Sequence, residues 1–598
     1  MSRLNCVSGG VLGWFVLGCC LVSAALLTYS ARAQEAESAN ATADATATAD
    51  AGATDAEAAT STGEESTPPV PAGSSSDADV IAYINAYIKQ GWEDHDVRPS
   101  PQATEGEWVR RVYLDVIGRI PTAEEVNAFL ALKGRDKKAK LIDRLLNSDE
   151  YIEDFAKNWT TTWTNLLIGR TGGTDNNTLI SRVGMQQYLR RSFLRNKPYD
   201  EMVYELVGAN GSNTPGEEGY NGAVNFLLDN LDENATPATA KTAQIFLGLQ
   251  VQCTQCHNHP FNDWKQNQFW QLNAFFRQTT ALRTFDGRQL ASVRLEDQDF
   301  AGENNNPAEA VIFYELRNGT LQMADPTFVD GTKVEVSGYV NEVNRRDELA
   351  TLIRKSPYLG QAMVNRTWSH FFGYGFTKPV DDMGPHNPPS HPELLERLGN
   401  DFAVHGYDVK QLIKWITLSD AYSLSSRFNS KNAIDDPNLG ERPLFSHFYL
   451  RQMTAEQLYE SLVAATQADK ARGSYEEQEA TKSMWLQQFS VAFGTDENNE
   501  GTTFNGTIPQ TLMMMNGDLI VKATSGEPGT FLYEVAGSSR KDAEKIGYLY
   551  LSALARRPTK DEIVVANAAL RAHQGNTLAA MQDVLWVLLN SNEFILNH

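Results

Sequence analysis

Cysteine is scarce in this chain of 598 residues, which contains five in total. Cys6, Cys19 and Cys20 lie near the N-terminus, and Cys253 and Cys256 lie in the middle of the chain. A small fold stabilised by disulfides needs several cysteine pairs spread along the chain, so that class is excluded. The two central cysteines share one five-residue motif, which is the main candidate site.

Basic residues are also few, because 52 Lys and Arg stand against 75 Asp and Glu, a net charge of −23. Nucleic-acid binding needs a basic surface that neutralises phosphates, so nucleic acid is excluded as a partner. Hydrophobic residues at 41% and aromatic residues at 10% are ordinary for a globular chain and exclude a wholly disordered or fibrous protein. The length corresponds to about three globular units.

Long apolar runs are absent except for one, Val11 to Leu27. A polytopic membrane protein is therefore excluded. Arg3 precedes this run and Ala31-Arg32-Ala33 follows it as a cleavage site of small residues, which predicts a signal peptide over residues 1–33. The protein is then exported, to the periplasm, the cell surface or the medium. An uncleaved signal would instead act as an N-terminal membrane anchor.

Residues 34–79 are rich in Ala, Thr, Ser and acidic residues and contain no Lys or Arg. This segment is predicted to be a disordered spacer, because it has too little apolar surface to offset the entropy of ordering. After it, apolar residues recur mostly at helical spacing. Thr122 and Glu125 form a capping-box pattern that predicts one helix start, and Thr236-Pro237 predicts another. The second helix is predicted to place Cys253 and Cys256 on one face or in its last turn.

Alternating apolar residues predict a small antiparallel β insert, with strands at Val311–Tyr314 and Lys333–Val336. The proline-rich residues Thr377–Pro392 predict a loop. A hard-metal or acid–base cluster could be formed there by Asp381, Asp382, His386, Asn387 and His391. Turn and capping chemistry is the favoured interpretation of these residues. Two similar segments, Gly118–Glu125 and Ala555–Glu562, predict two similar helical hairpins.

The sequence therefore predicts a mainly α, multi-helical protein with two packed helical domains and a small antiparallel β insert. Phe155, Trp159 and Trp163 lie at helical spacing and are predicted to be core residues. The predicted segments are a signal peptide over 1–33, an acidic spacer over 34–79, a helical domain with the cysteine motif over 80–280, a β insert over 281–344 and a C-terminal helical domain over 345–598.

Three chemistries are open for the motif Cys253-Thr254-Gln255-Cys256-His257. In the first, the two thiols form thioether bonds to one haem c and His257 is the proximal iron ligand. In the second, the two cysteines bind zinc or another metal with His257 or His259 and one distant ligand. In the third, the thiols form a short disulfide or a redox pair. The single motif allows one covalent haem.

A sixth iron ligand would come from a distant residue, because His259 is only two residues from His257 and cannot reach the opposite haem face. His391 and Met383 are the leading candidates, since they lie in the proline-rich loop and loops on a rigid scaffold commonly carry function. A five-coordinate iron is the alternative. The other distant candidates are His370 and His386.

Long stretches of the chain resemble two planctomycete cytochrome-associated domain families. Resemblance to the first family lies in two segments, Arg111–Thr122 and Phe246–Phe261, and the second segment includes the cysteine motif. Resemblance to the second, C-terminal family lies in the segments Asn365–Trp368, Phe372–Gly375, Val380–Asp382 and Asn387–Leu395 and in the ending from Leu588 to His598. The resemblance implies an exported protein linked to c-type cytochromes, often by fusion to a separate cytochrome c domain. Only one Cys-x-x-Cys-His motif occurs in this sequence, so no fused cytochrome c domain is expected within it.

The leading hypothesis is an exported mono-haem c-type protein that transfers electrons with a redox partner protein. Cys253 and Cys256 would hold the haem and His257 would bind the iron. No serine-hydrolase, zinc-protease or nucleotide-binding motif is present, so the sequence assigns no enzyme class; a redox enzyme remains open. The alternative is a non-haem secreted binding or scaffold protein with a metal such as zinc, or a disulfide, at the two cysteines.

Overall fold

Helix starts in the computed structural model coincide with capping residues in the sequence. Thr122 accepts the backbone N–H of Glu125 at 3.2 Å, and Glu125 accepts that of Thr122 at 2.7 Å, which confirms the predicted capping box. Thr559 and Glu562 repeat the same pair of bonds at 3.3 and 2.6 Å. The two segments that look alike in sequence therefore start helices in the same way.

The structure describes residues 75–173, 178–466, 474–493 and 508–598. The predicted signal peptide and the spacer up to residue 74 lie outside these ranges. The first described helix starts at Asp77 with Ser76 as its cap, so residues 77–79 at the end of the predicted spacer are helical. No helix within these ranges combines the length and the apolar character that crossing a membrane requires.

The fold is mainly α, as predicted. The helices up to residue 273 are α1 (Asp77–Asp94), α2 (Glu105–Ile117), α3 (Ala123–Ala131), α4 (Lys137–Asn147), α5 (Ile152–Ile168), α6 (Arg182–Leu194), α7 (Tyr199–Val207), α8 (Asn225–Leu228), α9 (Asp232–Leu247) and α10 (Gln266–Asn273). Residues 233–235 of α9 have left-handed φ values, so its regular part begins at Thr236-Pro237, as predicted.

The remaining helices begin at Arg345, where the sequence predicts that helices return. They are α11 (Arg345–Lys355), α12 (Pro357–Phe372), α13 (Pro392–Val404), α14 (Val409–Thr417), α15 (Ala455–Thr466), α16 (Tyr475–Phe493), α17 (Ile508–Asn516), α18 (Asp518–Ala523), α19 (Phe531–Gly537), α20 (Asp542–Leu554), α21 (Lys560–Ala572), α22 (Thr577–Leu589) and α23 (Asn592–Ile595). Between α12 and α13 runs the predicted proline-rich loop, Thr377–Pro392.

The strands within the described residues form three small antiparallel sheets. They are β1 (Gly211–Ser212), β2 (Thr279–Asp286), β3 (Gln289–Asp297), β4 (Ile312–Glu315), β5 (Leu321–Ala324), β6 (Arg451–Gln452) and β7 (Leu596–Asn597). Their orders are β1-β3-β2, β4-β5 and β6-β7. The predicted strand at Lys333–Val336 is wrong: Lys333 makes one isolated bridge to Thr327, because the chain turns at residues 330–331 and then leaves its neighbour.

In the described part of the chain, buried apolar side chains form two main clusters. The larger one runs from Val80 to Tyr449 and also includes Leu551 and Ala555. The smaller one runs from Met453 to Ile595 and also includes Leu114 of α2 and Ile120, which follows α2. Helix α2 therefore contributes to both clusters. Phe155, Trp159 and Trp163 are between 1% and 3% exposed in the larger cluster, as predicted for core residues.

Two adjacent arginines of α11 fix the β elements to the helical core. The guanidinium of Arg346 bonds both carboxylate oxygens of Asp297 at 3.0 and 2.7 Å, and both side chains are buried. Arg345 donates to the carbonyl oxygens of Ala274 and Ser337 at 3.2 and 3.1 Å. Since α11 is anchored in the core, these bonds hold the β insert in a fixed position beside α10.

Candidate functional site

The cysteine motif follows a helix that ends earlier than the sequence predicts. Helix α9 ends at Leu247, because Gly248 adopts a left-handed φ of 68°. The backbone N–H groups of Gly248 and Leu249 both donate to the carbonyl oxygen of Ala243. The prediction that Cys253 and Cys256 continue this helix is therefore wrong; they belong to a short 3₁₀ turn, Gln252–Gln255, and the residue after it.

The two cysteines of this turn are exposed and are free thiols. Thr254 between them is fully buried, and its hydroxyl and backbone N–H both donate to the carbonyl oxygen of Val251, at 2.5 and 2.9 Å. Gln255 uses its carbonyl oxygen to accept a bond from the indole nitrogen of Trp270 at 3.1 Å. The turn is thus held from the inside by Thr254 and Gln255, which leaves Cys253 and Cys256 at the surface.

The ring of His257 has one nitrogen engaged and one available. Its Nδ1 lies 2.6 Å from the carbonyl oxygen of Asn258. Because a carbonyl oxygen only accepts, Nδ1 carries the proton and Nε2 has the free lone pair that a metal or haem iron requires. Asn258 is fixed in turn, since its side-chain oxygen accepts the backbone N–H of Gln266 at the start of α10, at 3.0 Å.

His259 has a structural role in the same segment. Its Nδ1 accepts the backbone N–H groups of Phe261 and Asn262, each at 3.2 Å. Nε2 therefore carries the proton in the neutral ring and is not available to bind a metal. Burial lowers the pKa of His259, and the nearby rings of His386 and His257 lower it further, while Asp382 opposes the shift.

The proline-rich loop brings an Asp–His pair to the motif. His386 Nε2 lies 2.9 Å from a carboxylate oxygen of Asp382, and the ring centroids of His386 and His259 are 6.2 Å apart. The sequence predicts His386 as a lower-ranked candidate for the sixth ligand. It places Asp382 and His386 in a possible hard-metal or acid–base cluster, with turn and capping chemistry as the favoured interpretation. The spacing of four residues between them was the available signal, but only the tertiary fold brings the pair next to His259.

A second carboxylate of the loop holds the segment that precedes the motif. Asp381 accepts hydrogen bonds from the side-chain amides of Gln244 and Gln250, the latter at 2.8 Å. Gln244 belongs to α9, and Gln250 lies three residues before Cys253. Asp381 therefore binds both the last turn of α9 and the segment that follows this helix.

Met383 and His391, the two predicted sixth ligands, lie at different places. Met383 is buried, and its backbone N–H donates to the carbonyl oxygen of Gly248 at 2.7 Å. His391 is also buried, against the rings of Phe376 and Phe445, where burial lowers its pKa to about 4. The structure brings Met383 to the helix end before the motif, whereas the ring contacts of His391 are with the aromatic core.

The remaining distant candidate, His370, lies in the core. Its Nε2 donates to the carbonyl oxygen of Asp115 at 3.0 Å, and its ring packs on Trp159. Within residues 75–173, 178–466, 474–493 and 508–598, no three His, Cys, Asp or Glu side chains converge in a way that would hold a metal ion. The site is thus a surface turn with two thiols and one available imidazole nitrogen, flanked by an Asp–His pair.

Two parts of the chain match known families, and each part contributes residues to this site. Neither the curated proteins nor the solved structures contain a match to the chain. Residues 83–281, which include the cysteine motif, match PSCyt2, "Protein of unknown function (DUF1549)". Residues 345–570, which include the proline-rich loop, match PSD1, "Protein of unknown function (DUF1553)". Two regions of the chain are therefore similar to DUF1549 and DUF1553, which are known as a family pair.

Proposed function

We propose that this protein is an exported electron-transfer protein that carries one covalent haem c at the cysteine motif. The observation that carries the proposal is the hydrogen bond from His257 Nδ1 to Asn258, which leaves Nε2 free next to two exposed thiols. Cys253 and Cys256 would hold the haem and His257 would bind the iron. A bound haem supplies a centre that gains and loses one electron at a time.

The donor set fits covalent haem better than the alternatives. Haem attachment uses only the two thiols and one imidazole of a single turn, and all three are present and accessible. A tetrahedral zinc site needs further ligands that converge on Cys253 and Cys256, and His259 presents a protonated Nε2. A disulfide or zinc at these cysteines defines the competing proposal, a non-haem secreted binding or scaffold protein.

The chain's own residues would position the group. Gln255 and Thr254 fix the turn, so the thiols are presented without reorganisation of the backbone. Asn258 orients the ring of His257, as outer hydrogen bonds do for metal-binding histidines. Met383 stays a prediction for the sixth ligand, supported by its contact with Gly248; His391 stays a prediction without a contact to the motif.

The proposed location follows from residues outside the described ranges. The signal-peptide pattern over residues 1–33 supports export, and the acidic part of the spacer over residues 34–74 supports a tether or linker role. Covalent attachment would then take place outside the cytoplasm. The redox partner is proposed to be another exported protein, and an additional enzymatic activity stays open.

The test is haem content after export in a host with c-type cytochrome maturation machinery. Wild-type protein should keep a haem stain through a denaturing gel and give a reduced pyridine haemochrome spectrum. Cys253→Ser and Cys256→Ser should each lose thioether bonding at that position, and the double variant should be colourless. Gln252→Ser, an exposed change in the same turn, is the matched control and should stain like wild type. A colourless wild-type protein that contains zinc, or one internal disulfide, would refute the proposal.

A further inference from the structure

The hairpin of β4 and β5 exposes apolar side chains where a solvated sheet normally has polar ones. Phe313 lies opposite Met323 and Glu315 lies opposite Leu321 in the antiparallel register. These four residues form the outward side, here called the hairpin face. Phe313, Met323 and Leu321 are 38%, 61% and 64% exposed, so three of the four positions are apolar and open to solvent.

The inward side of the same hairpin explains why the outward side is rigid. Ile312, Tyr314 and Ala324 are buried in a small cluster with Ala274. The indole of Trp270 stacks on Tyr314 with ring centroids 6.0 Å apart and an interplanar angle of 10°. The hairpin therefore has a packed inner side, and its exposed apolar side chains are displayed on a fixed scaffold.

Side-chain hydrogen bonds connect the hairpin to the turn Gln252–Cys256, here called the cysteine turn. The side-chain nitrogen of Gln266 donates both to the carbonyl oxygen of Glu315, at 3.0 Å, and to that of Gln255, at 3.2 Å. Trp270 donates to the same oxygen of Gln255 and stacks on Tyr314. One layer of side chains thus separates the residue between the two cysteines from the hairpin face.

We propose that the hairpin face is the docking surface for a basic redox protein. This inference rests on the proposed function, because the docking would serve to bring a one-electron donor or acceptor close to the cysteine turn. Apolar contact in the centre of the patch would supply affinity, and charge around it would steer the encounter. The binding itself does not depend on a haem in this chain.

Charge favours a cationic partner over a second copy of this chain. Residues 281–344 contain eleven acidic and five basic residues, in a chain with a net charge of −23. Glu315 adds an exposed carboxylate to the hairpin face itself, while Arg317 lies in the turn that connects the two strands. A second copy would bring the same negative charge and be repelled, whereas a basic protein would be attracted.

The experiment uses mitochondrial cytochrome c, a basic one-electron carrier, as the probe. Binding to the full mature chain is measured by calorimetry at low ionic strength. Leu321→Ser combined with Met323→Ser should weaken binding about tenfold, as expected for loss of central apolar contacts. The matched control combines Val564→Ser with Val565→Ser; these side chains are 63% and 70% exposed on α21, and the change should leave the affinity unaltered.

Charge variants test the chemistry of the partner. Glu315→Lys should weaken binding of cytochrome c and Arg317→Glu should strengthen it, and added salt should reduce both differences. Circular dichroism and the thermal midpoint should match wild type in all variants, because the changed side chains are exposed. No measurable binding by wild type, or equal affinity for Leu321→Ser/Met323→Ser, would overturn the proposal.

Two further outcomes would assign the surface to another occupant and would also overturn the proposal. One is a wild-type dimer in sedimentation that Leu321→Ser/Met323→Ser dissociates. The other is much tighter binding of cytochrome c after deletion of residues 34–74. The Cys253→Ser/Cys256→Ser variant separates this inference from the proposed function: it cannot hold a haem but should bind cytochrome c as tightly as wild type.

Discussion

Met383 donates its backbone N–H to the carbonyl oxygen of Gly248 at 2.7 Å, and its side chain covers the same glycine. A Cβ atom on Gly248 would lie 2.5 Å from Cε of Met383. Gly248 ends α9 five residues before Cys253, and Met383 belongs to the proline-rich loop. This contact joins the DUF1549 region to the DUF1553 region at the candidate site.

The first prediction concerns this contact. Gly248→Ala should lower the free energy of unfolding by about 1–3 kcal/mol, because alanine is strained at a φ of 68° and its methyl group displaces Met383. Urea unfolding measures the loss. In the background Met383→Ala, the steric part disappears and the cost of Gly248→Ala should fall to the backbone part alone. Equal costs in both backgrounds would contradict a direct contact.

The second prediction uses the two similar helix starts at Thr122 and Thr559. Arg119 bonds both carboxylate oxygens of Glu125 at 2.9 Å each, and Arg556 bonds those of Glu562 at 2.9 and 2.8 Å. A lysine cannot make this two-pronged bond, so Arg119→Lys and Arg556→Lys should each destabilise by about 1–2 kcal/mol. Arg556 also bonds both carboxylate oxygens of Glu593, so the two sites are compared in the background Glu593→Ala. There the loss should be larger for Arg119, whose side chain is 18% exposed against 29% for Arg556.

Thermal or urea unfolding of the two variants checks this comparison. Arg571→Lys on α21, an exposed change, is a suitable control with no expected effect. A larger loss at Arg556 than at Arg119 would mean that burial does not set the strength of these bonds.

The third prediction concerns pH. Burial lowers the pKa of His370 to about 4 from its ordinary value of 6.5, and the charge of Arg451 adds to the shift. The unfolded chain therefore binds a proton that the folded chain excludes, so stability from this group is present above pH 6.5 and is lost as the pH falls toward 4. Between pH 7 and pH 5 the loss should be about 2 kcal/mol.

His370→Gln removes the titrating group and keeps a donor for the carbonyl oxygen of Asp115. The variant should lose about 2 kcal/mol less than wild type between pH 7 and pH 5 in urea unfolding. Phe371→Leu, a buried neighbour, should be destabilised equally at both pH values. An unchanged pH dependence in His370→Gln would show that this ring does not set the acid sensitivity.

The fourth prediction concerns the proposed iron ligand. In haem-loaded protein, His257→Ala should shift the absorption spectrum of the ferric form, and added imidazole should restore it by occupying the vacated position. His95→Ala is the matched control, because the Nδ1 of His95 also bonds a nearby backbone carbonyl, at 2.8 Å. Identical spectra for wild type and His257→Ala would exclude this histidine from the iron.

Local patterns were sufficient to predict much of the fold. Thr122 with Glu125 specifies a helix start through bonds within four residues, and Phe155, Trp159 and Trp163 specify a buried helix face by spacing alone. The end of α9 depends on the left-handed conformation of Gly248. The residues after Gly248 continue the helical spacing, so the sequence pattern does not show where the helix ends.

The surroundings of the site depend on contacts that sequence does not reveal. His386 and His259 are separated by more than a hundred residues, and their proximity arises from the packing of the proline-rich loop on the end of α9. The position of His391 and Met383 in the loop makes them candidates, but it gives no information on the direction in which their side chains point. The hairpin face was equally hidden, because an exposed apolar strand residue has the same sequence pattern as a buried one.

The most direct test of the account is the intact mass of the mature chain after export with competent maturation machinery. The account predicts a mass increase equal to one haem, located by peptide mapping on the peptide that contains Cys253 and Cys256. A mature chain with the unmodified mass, or a mass two hydrogens lower from a disulfide, would contradict it.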